Sequence, residues 1–242
     1  ASIHLQIESL KAALSSIERH VADPAFMDRD PASMLAPEGL SAAAAAIDHQ
    51  RASEGGRVAG YTSTVLLCAA DDEGTMVSFI QSNYMGFGSG VVVPDTGISL
   101  QNRGAGFTLE EGHPNRVDGG KRPYHTIIPA FITRDGQPVM SYGVMGGPMQ
   151  PQGHAQMMIR MFDYGQNPQA ACDAPRWQVF TGNLVGVETG TSPAVMDDLT
   201  FRGHDVQIVP AARFGGGQLI YKLDDGYCGA SDWRKDGQAA GY

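Results

Sequence analysis

Thr64-Val65-Leu66-Leu67-Cys68-Ala69-Ala70 runs into Asp71-Asp72-Glu73-Gly74 and out through Thr75-Met76-Val77-Ser78-Phe79-Ile80-Gln81-Ser82. The first seven residues read as a buried strand, the acidic tetrad ending in glycine as a tight turn, and 75–82 as the returning strand of a hairpin. Thr64 and Ser82 stand equally far from Glu73 in the sequence, so pairing about that residue sets their Cβ atoms roughly 5 Å apart. A slip of one residue would turn the two hydroxyls to opposite faces. Alone, such a pair is most simply structural; the segments that follow the hairpin give it a chemical reading.

Composition bounds that reading. At 242 residues and 42% hydrophobic, the chain has the apolar content for one substantial core. A net charge of −9 without a run of Lys or Arg argues against nucleic acid as a partner. No apolar run is long enough to cross a membrane as a helix. Cys68, Cys172 and Cys228 are odd in number and have no paired spacing, so no disulfide framework is implied. The seven histidines show no His-x-x-x-His pattern; neither a metal site nor a cofactor is expected.

Periodicity places the remaining elements. Ile3, Ile7, Leu10, Leu14, Ile17 and Val21 recur at three- and four-residue steps, predicting an amphipathic helix that stops before Asp23-Pro24. A second helix is expected over Ser41 to His49 with Ser41 as N-cap, followed by a flexible loop from Arg51 to Gly60. Further helices are expected over Gln152 to Tyr164, Pro168 to Asp173, and from Ser192-Pro193 to near Gly203. Gln218–Leu223 and Tyr227–Ala230 flank Asp224-Asp225-Gly226 as a last hairpin. A strand over Val139–Val144 runs into Gly146-Gly147 just before a helix. Backbone N–H groups at such a junction suit a developing oxyanion, although a plain strand-to-helix turn uses the same residues. No Gly-Lys-Ser/Thr follows, which argues against a phosphate loop. Strands before, helices between and strands after predict a layered α+β sandwich.

The order of segments then identifies a resemblance. After Ser82 come Asn83-Tyr84-Met85-Gly86-Phe87-Gly88-Ser89-Gly90, Gln101-Asn102-Arg103-Gly104-Ala105-Gly106, Lys121-Arg122-Pro123-Tyr124-His125-Thr126, Gly143-Val144-Met145-Gly146-Gly147, Asp173-Ala174-Pro175-Arg176 and Gly229-Ala230-Ser231-Asp232. In this order and spacing, residues 64–242 resemble the small, catalytic subunit of the γ-glutamyltransferase family. Residues 1–63 resemble the C-terminal part of its large subunit. That family is a branch of the N-terminal nucleophile hydrolases, which implies a four-layer αββα sandwich, two β-sheets stacked between layers of helices.

The resemblance implies a precursor that cuts itself before a threonine whose freed amine becomes its own base. Aligning Gly74 with the family's turn glycine puts the nucleophile at Thr64, the cleavage site at Ser63 and Thr64, and the supporting hydroxyl at Ser82. Gly146 and Gly147 complete the catalytic set as oxyanion donors. Thr62, on the same strand face, would spoil the spacing to Gly74 and Ser82. In the substrate-binding positions this chain departs from the family. Arg103 and Gly106 stand where an Asn or Gln and an Asp hold an α-amino group, His125 and Thr126 where two serines grip a carboxylate, and Tyr84 where an asparagine follows. An acyl group with a carboxylate and no amine fits better, because a guanidinium makes charge-assisted bonds to carboxylate oxygens. This pattern resembles the branch holding glutaryl-cephalosporin acylases and oxamate amidohydrolases.

The partners implied are a small-molecule amide substrate and the missing N-terminal part of the large subunit, in a heterodimer formed by processing; neither nucleic acid nor membrane is expected. A cytoplasmic location is favoured over a periplasmic one. The competing reading is a non-catalytic relative that keeps the fold for binding or assembly.

Overall fold

The computed structural model describes residues 2–55 and 63–242, with only the backbone of Ser63. Among them the chain forms α1 (Ser2–His20), α2 (Pro37–Ala45), β1 (Ser63–Ala70), β2 (Met76–Tyr84), β3 (Ala130–Arg134), β4 (Gln137–Met145), α3 (Met149–Met158) and α4 (Pro168–Asp173). There follow β5 (Trp177–Thr181), β6 (Leu184–Val187), α5 (Pro193–Phe201), β7 (Asp205–Ile208), β8 (Gly216–Leu223) and β9 (Gly226–Ser231). The class is α+β. Two compact units share these elements, one from residues 1–59, 103–125 and 178–208, the other from 60–102, 126–177 and 209–242.

In the first unit, α1 follows the apolar period: Ile7, Leu10 and Leu14 are buried. The same helix also buries His4, Glu8 and Lys11, so its inner face is part apolar and part charged. The second helix begins at Pro37, not at Ser41. Proline at N1 has its φ preset and lacks a donor that the first turn would waste, and the helix ends at Ala45, short of His49. β5, β6 and β7 form a sheet in that order, with β6 and β7 parallel in the register Leu184↔Asp205 to Val187↔Ile208. A parallel pair needs a crossover, which α5 supplies. This sheet was not among the sequence expectations, which put only helices between Gly147 and the last hairpin. The Ser192 side chain makes no cap bond, and Pro193 opens α5 without it.

In the second unit, β3, β4, β8 and β9 form an antiparallel sheet. Met140, Tyr142 and Val144 of β4 pack with Leu219, Ala230, Met157, Met161 and Cys172 into one core. Each Met, Val or Leu among them contributes about 1.5–3 kcal/mol through its burial. β3 was also missed in the sequence. α3 starts at Met149, three residues before the expected Gln152, and passes after Met158 into a π-helical turn over Ile159–Asp163. It lies close on β4: a Cβ on Gly153 would meet Val144 Cγ1 at 2.5 Å.

The β1–β2 hairpin packs on the other face of the sheet. Leu66 fills the space over Gly143, where a Cβ would stand 2.7 Å from Leu66 Cδ2. Ser78 Oγ donates to Tyr142 O at 2.9 Å. This unit is therefore layered hairpin, sheet, helices. The outer face of the hairpin carries Val65, Leu67, Val77 and Phe79, all exposed.

Candidate active site

The hairpin register runs Val65↔Gln81, Leu67↔Phe79, Ala70↔Met76, which carried back one step sets Thr64 opposite Ser82. Their hydroxyls are bonded: Thr64 Oγ1 donates to Ser82 Oγ at 3.2 Å. Ser82 Oγ also accepts the Tyr84 N–H at 3.0 Å. Tyr84 takes a φ of +76°, uncommon for a bulky residue and costing of order 1–3 kcal/mol. The ladder is irregular between Ser63 and Val65, so the pairing departs from regular geometry at the Ser63–Thr64 bond. Thr62 lies outside the described residues.

Asn102, a residue the sequence reading left without a role, secures the chain beyond Tyr84. Its Oδ1 accepts Met85 N at 2.9 Å, and its Nδ2 donates to Met85 O and Gly88 O, both at 3.1 Å. Its backbone N–H donates to Asn83 O at 3.1 Å.

Gly146 and Gly147 form the turn between β4 and α3 with φ of +125° and +58°, a region that favours glycine. Their carbonyls accept Met149 N at 3.2 Å and Gln150 N at 2.9 Å, closing the first turn of α3. A Cβ on Gly146 would stand 3.0 Å from Gly215 Cα, so this turn rests against the chain entering β8.

That entering segment is held by a buried ion network joining Arg176, Asp232 and Arg234. Arg176 Nη2 lies 2.6 Å from Asp232 Oδ2, each side chain no more than 1% exposed. Arg176 Nη1 donates to Phe214 O at 3.0 Å, and Asp232 Oδ2 accepts Gly217 N at 2.8 Å. Arg234 Nη1 donates to Asp232 Oδ1 and to Cys172 O. Burial alone would raise the Asp232 carboxyl, but Arg176 and Arg234 outweigh it and hold it below the usual carboxylate range. Gly215, between the clamped positions, has a φ of +72°.

Of the other expected residues, buried Thr126 belongs to this second unit, and Arg103, Gly106 and His125 to the first. Arg103 is buried in a 3-10 turn over Arg103–Gly106. Asn115 Nδ2 donates to Gly106 O at 2.7 Å while its Oδ1 accepts Tyr124 N at 2.9 Å, and a Cβ on Gly106 would meet Tyr124 O at 3.3 Å. His125 is exposed, with Nδ1 2.6 Å from Pro123 O.

One cluster was not anticipated. His4, Glu8 and His204, all buried, bring one donor atom each within 4.8 Å of one another, a group that could hold a metal ion. Two of them are one helical turn apart in α1, but the third is remote in sequence, which spacing alone does not reveal.

The gamma-glutamyltranspeptidase family model matches residues 1–242. An oxamate amidohydrolase proenzyme of Klebsiella pneumoniae is 38% identical over 249 residues, covering 100% of this chain and 47% of the relative. A glutathione hydrolase-like proenzyme of Bacillus subtilis is 35% identical, covering 98% and 47%. The crystal structure of a cephalosporin acylase from Bacillus halodurans superimposes with a TM-score of 0.93 at 46% identity, covering 100% of this chain and 45% of that one. The chain thus spans about half the length of the curated relatives it matches.

Proposed function

This chain belongs to the γ-glutamyltranspeptidase family, and on that premise we propose that its protein is an amidohydrolase or acyltransferase that cuts its own Ser63–Thr64 bond and uses Thr64 as an N-terminal nucleophile. The observation that carries this reading is the hydrogen bond between Thr64 Oγ1 and Ser82 Oγ, next to that bond.

A threonine hydroxyl is a weak nucleophile without an adjacent base, and an internal Thr64 has no free amine. In self-cleavage, Thr64 Oγ adds to the Ser63 carbonyl carbon, its proton passes to the amide nitrogen, and the C–N bond breaks to leave an ester. Water splits that ester into a Ser63 carboxylate and a free Thr64. The new α-amine titrates near neutrality. It accepts the Oγ–H proton as Oγ bonds to the carbonyl carbon of the substrate amide, then gives that proton to the departing amine as the C–N bond breaks. The N–H groups of Gly146 and Gly147 stabilise the charge on the carbonyl oxygen. Water, or an amine acceptor, then takes the acyl group.

The substrate class follows from the departures at the binding positions. Arg103, with His125, Thr126 and Tyr84, suits an acyl group that carries a carboxylate and lacks the α-amine for which Gly106 offers no acid. Glutaryl- and oxamate-type amides meet that description better than γ-glutamyl ones. The relatives named oxamate amidohydrolase and cephalosporin acylase support this choice. After cleavage the protein would be a heterodimer whose large subunit extends upstream of residue 1.

The test is the denaturing intact mass of the full-length protein after incubation, beside a Thr64→Ala variant. Two fragments, the smaller starting at Thr64 and absent from the variant, are expected together with release of amine from an oxamate- or glutaryl-type amide. Cleavage elsewhere, or full turnover by Thr64→Ala, would refute the assignment.

A further inference from the structure

The first unit draws on both sides of the Ser63–Thr64 bond, taking 1–59 from upstream and 103–125 and 178–208 from downstream. Several contacts within it join the two sides. Asp23 Oδ2 accepts Arg122 N at 3.0 Å, Ala52 N donates to Arg202 O at 2.7 Å, and His113 Nε2 donates to Glu18 O at 2.8 Å. The deepest of them are on α1. Lys11 is 1% exposed, and its ammonium finds three acceptors, Glu8 Oε1 at 2.8 Å, Ser53 O at 2.8 Å and Asn183 Oδ1 at 3.4 Å. These match the three protons it carries. The other Glu8 oxygen accepts Ser53 N at 3.0 Å and Ser53 Oγ at 2.5 Å. His4 Nε2 donates to Asp48 O at 2.9 Å, so Nδ1 is left to accept from His204 Nε2 at 2.9 Å.

A buried ammonium that loses an acceptor retains its desolvation cost without compensation. Upstream residues supply two acceptors to Lys11 and downstream Asn183 the third; the imidazole against His4 is also downstream. We propose that the buried face of α1 formed by His4, Glu8 and Lys11 is a clasp that grips Asn183 and His204, and so keeps fragments 1–63 and 64–242 paired after the Ser63–Thr64 bond is cut. This rests on the reading that the bond is cut. It adds where the fragments are held, and on which downstream groups. The spacing of His4, Glu8 and His204 would also admit a metal, but Lys11 Nζ already stands against the Glu8 carboxylate, and a divalent ion would have to expel a buried ammonium. The clasp takes Lys11 as its cation.

The experiment uses the full-length protein in a Thr64→Ala background, with a site-specific protease sequence placed within residues 56–62. The cut is then made at will, whether or not the protein cuts itself. Lys11→Met and Asn183→Ala are compared with the parent, uncut and cut, by circular dichroism and by size exclusion over a dilution series. Both uncut variants are expected to keep the native spectrum, and the cut parent to remain paired. The cut variants should release the downstream fragment at a protein concentration at least about tenfold higher than the parent does. If Lys11→Met fails to fold even uncut, Asn183→Ala, which removes one acceptor only, decides in its place. Cut variants that stay paired down to the parent's dilution would overturn the clasp, as would separation of the cut parent by a chelator alone, which would assign the cluster to a metal. Absence of self-cleavage in the Thr64 protein would sink the proposed function and leave this measurement standing.

Discussion

The hydroxyls of Thr64 and Ser82 face each other across the mouth of the β1–β2 hairpin, 3.2 Å apart, and the Tyr84 N–H donates to the same Ser82 oxygen. Ser82 therefore sets the direction of the Thr64 hydroxyl while its own orientation is set by the backbone. Ser82→Ala should slow both self-cleavage and turnover by roughly tenfold to a hundredfold, the value of one or two hydrogen bonds at the reacting atom. The loss should fall on kcat with KM preserved, and Ser82→Thr should recover part of it. Equal kcat values for Ser82→Ala and the parent would reduce the pair to a structural one.

At the β4–α3 turn, Gly147 has a φ of +58° and is buried. Gly147→Ala should lower kcat by about a hundredfold, as loss of an oxyanion donor does, because an L-residue there strains the turn that aims its N–H. Steady-state kinetics alongside thermal melting separates the two effects. A variant that loses stability but keeps kcat would show that the turn only joins strand to helix.

The proposed carboxylate-bearing acyl group rests on Arg103 as its binding residue. Arg103→Met should raise KM for an oxamate- or glutaryl-type amide by roughly tenfold to a hundredfold, with little change for an acyl amide lacking the carboxylate. A uniform loss on both substrates would mean that the arginine supports the fold and not the ligand.

Arg176 and Asp232 are nearly fully buried and 2.6 Å apart, so removing Arg176 leaves the buried carboxylate with one counter-charge, Arg234, in place of two and empties a packed site, at a cost of about 3 kcal/mol. Arg176→Met should lower Tm by roughly 10 °C at this chain length. The segment from Phe214 to Gly217 that the network clamps lies against Gly146, so kcat should fall further than stability alone predicts at temperatures where the variant is folded. A Tm within about 2 °C of the parent would contradict the burial.

The hairpin and its register were legible because a period of two, an acidic turn and Gly74 agree, and one register alone pairs Thr64 with Ser82 on a common face. α1 was legible from its apolar spacing, and α4 from proline at its first turn. The β5–β6–β7 sheet was hidden because β6 and β7 are four residues each, too short for a period to register, and pair in parallel through a crossover. The inner face of α1 was misread for a different reason. Its apolar stripe is genuine, yet His4, Glu8 and Lys11 are buried beside it because Ser53, Asn183 and His204 meet them from distant parts of the chain. The role of Arg176 was likewise invisible until Asp232, more than fifty positions away, came into contact with it.

His204 supplies a prediction in pH. Burial pushes its imidazole down to about 4, and Lys11 adds to the shift; Glu8 opposes it, while His4 and Arg202 reinforce it. Unfolded, the same ring titrates near 6.5. Between those values the unfolded chain binds a proton that the native one refuses, so native stability falls as pH is lowered from about 6.5 to about 4, and this group takes no more below that. Glu8 adds a second loss at lower pH. Burial raises its carboxyl, but the bonds from Lys11 and Ser53 outweigh this and hold it below its ordinary 4.5, so its contribution is present above that value and disappears as pH falls through the depressed one. Thermal melts at constant ionic strength should show Tm dropping by roughly 5 °C or more between pH 6.5 and 4. In His204→Gln, which keeps a donor but cannot titrate, that slope should flatten while the loss below pH 4.5 remains. An unchanged slope in the variant would place the acid sensitivity elsewhere in the protein.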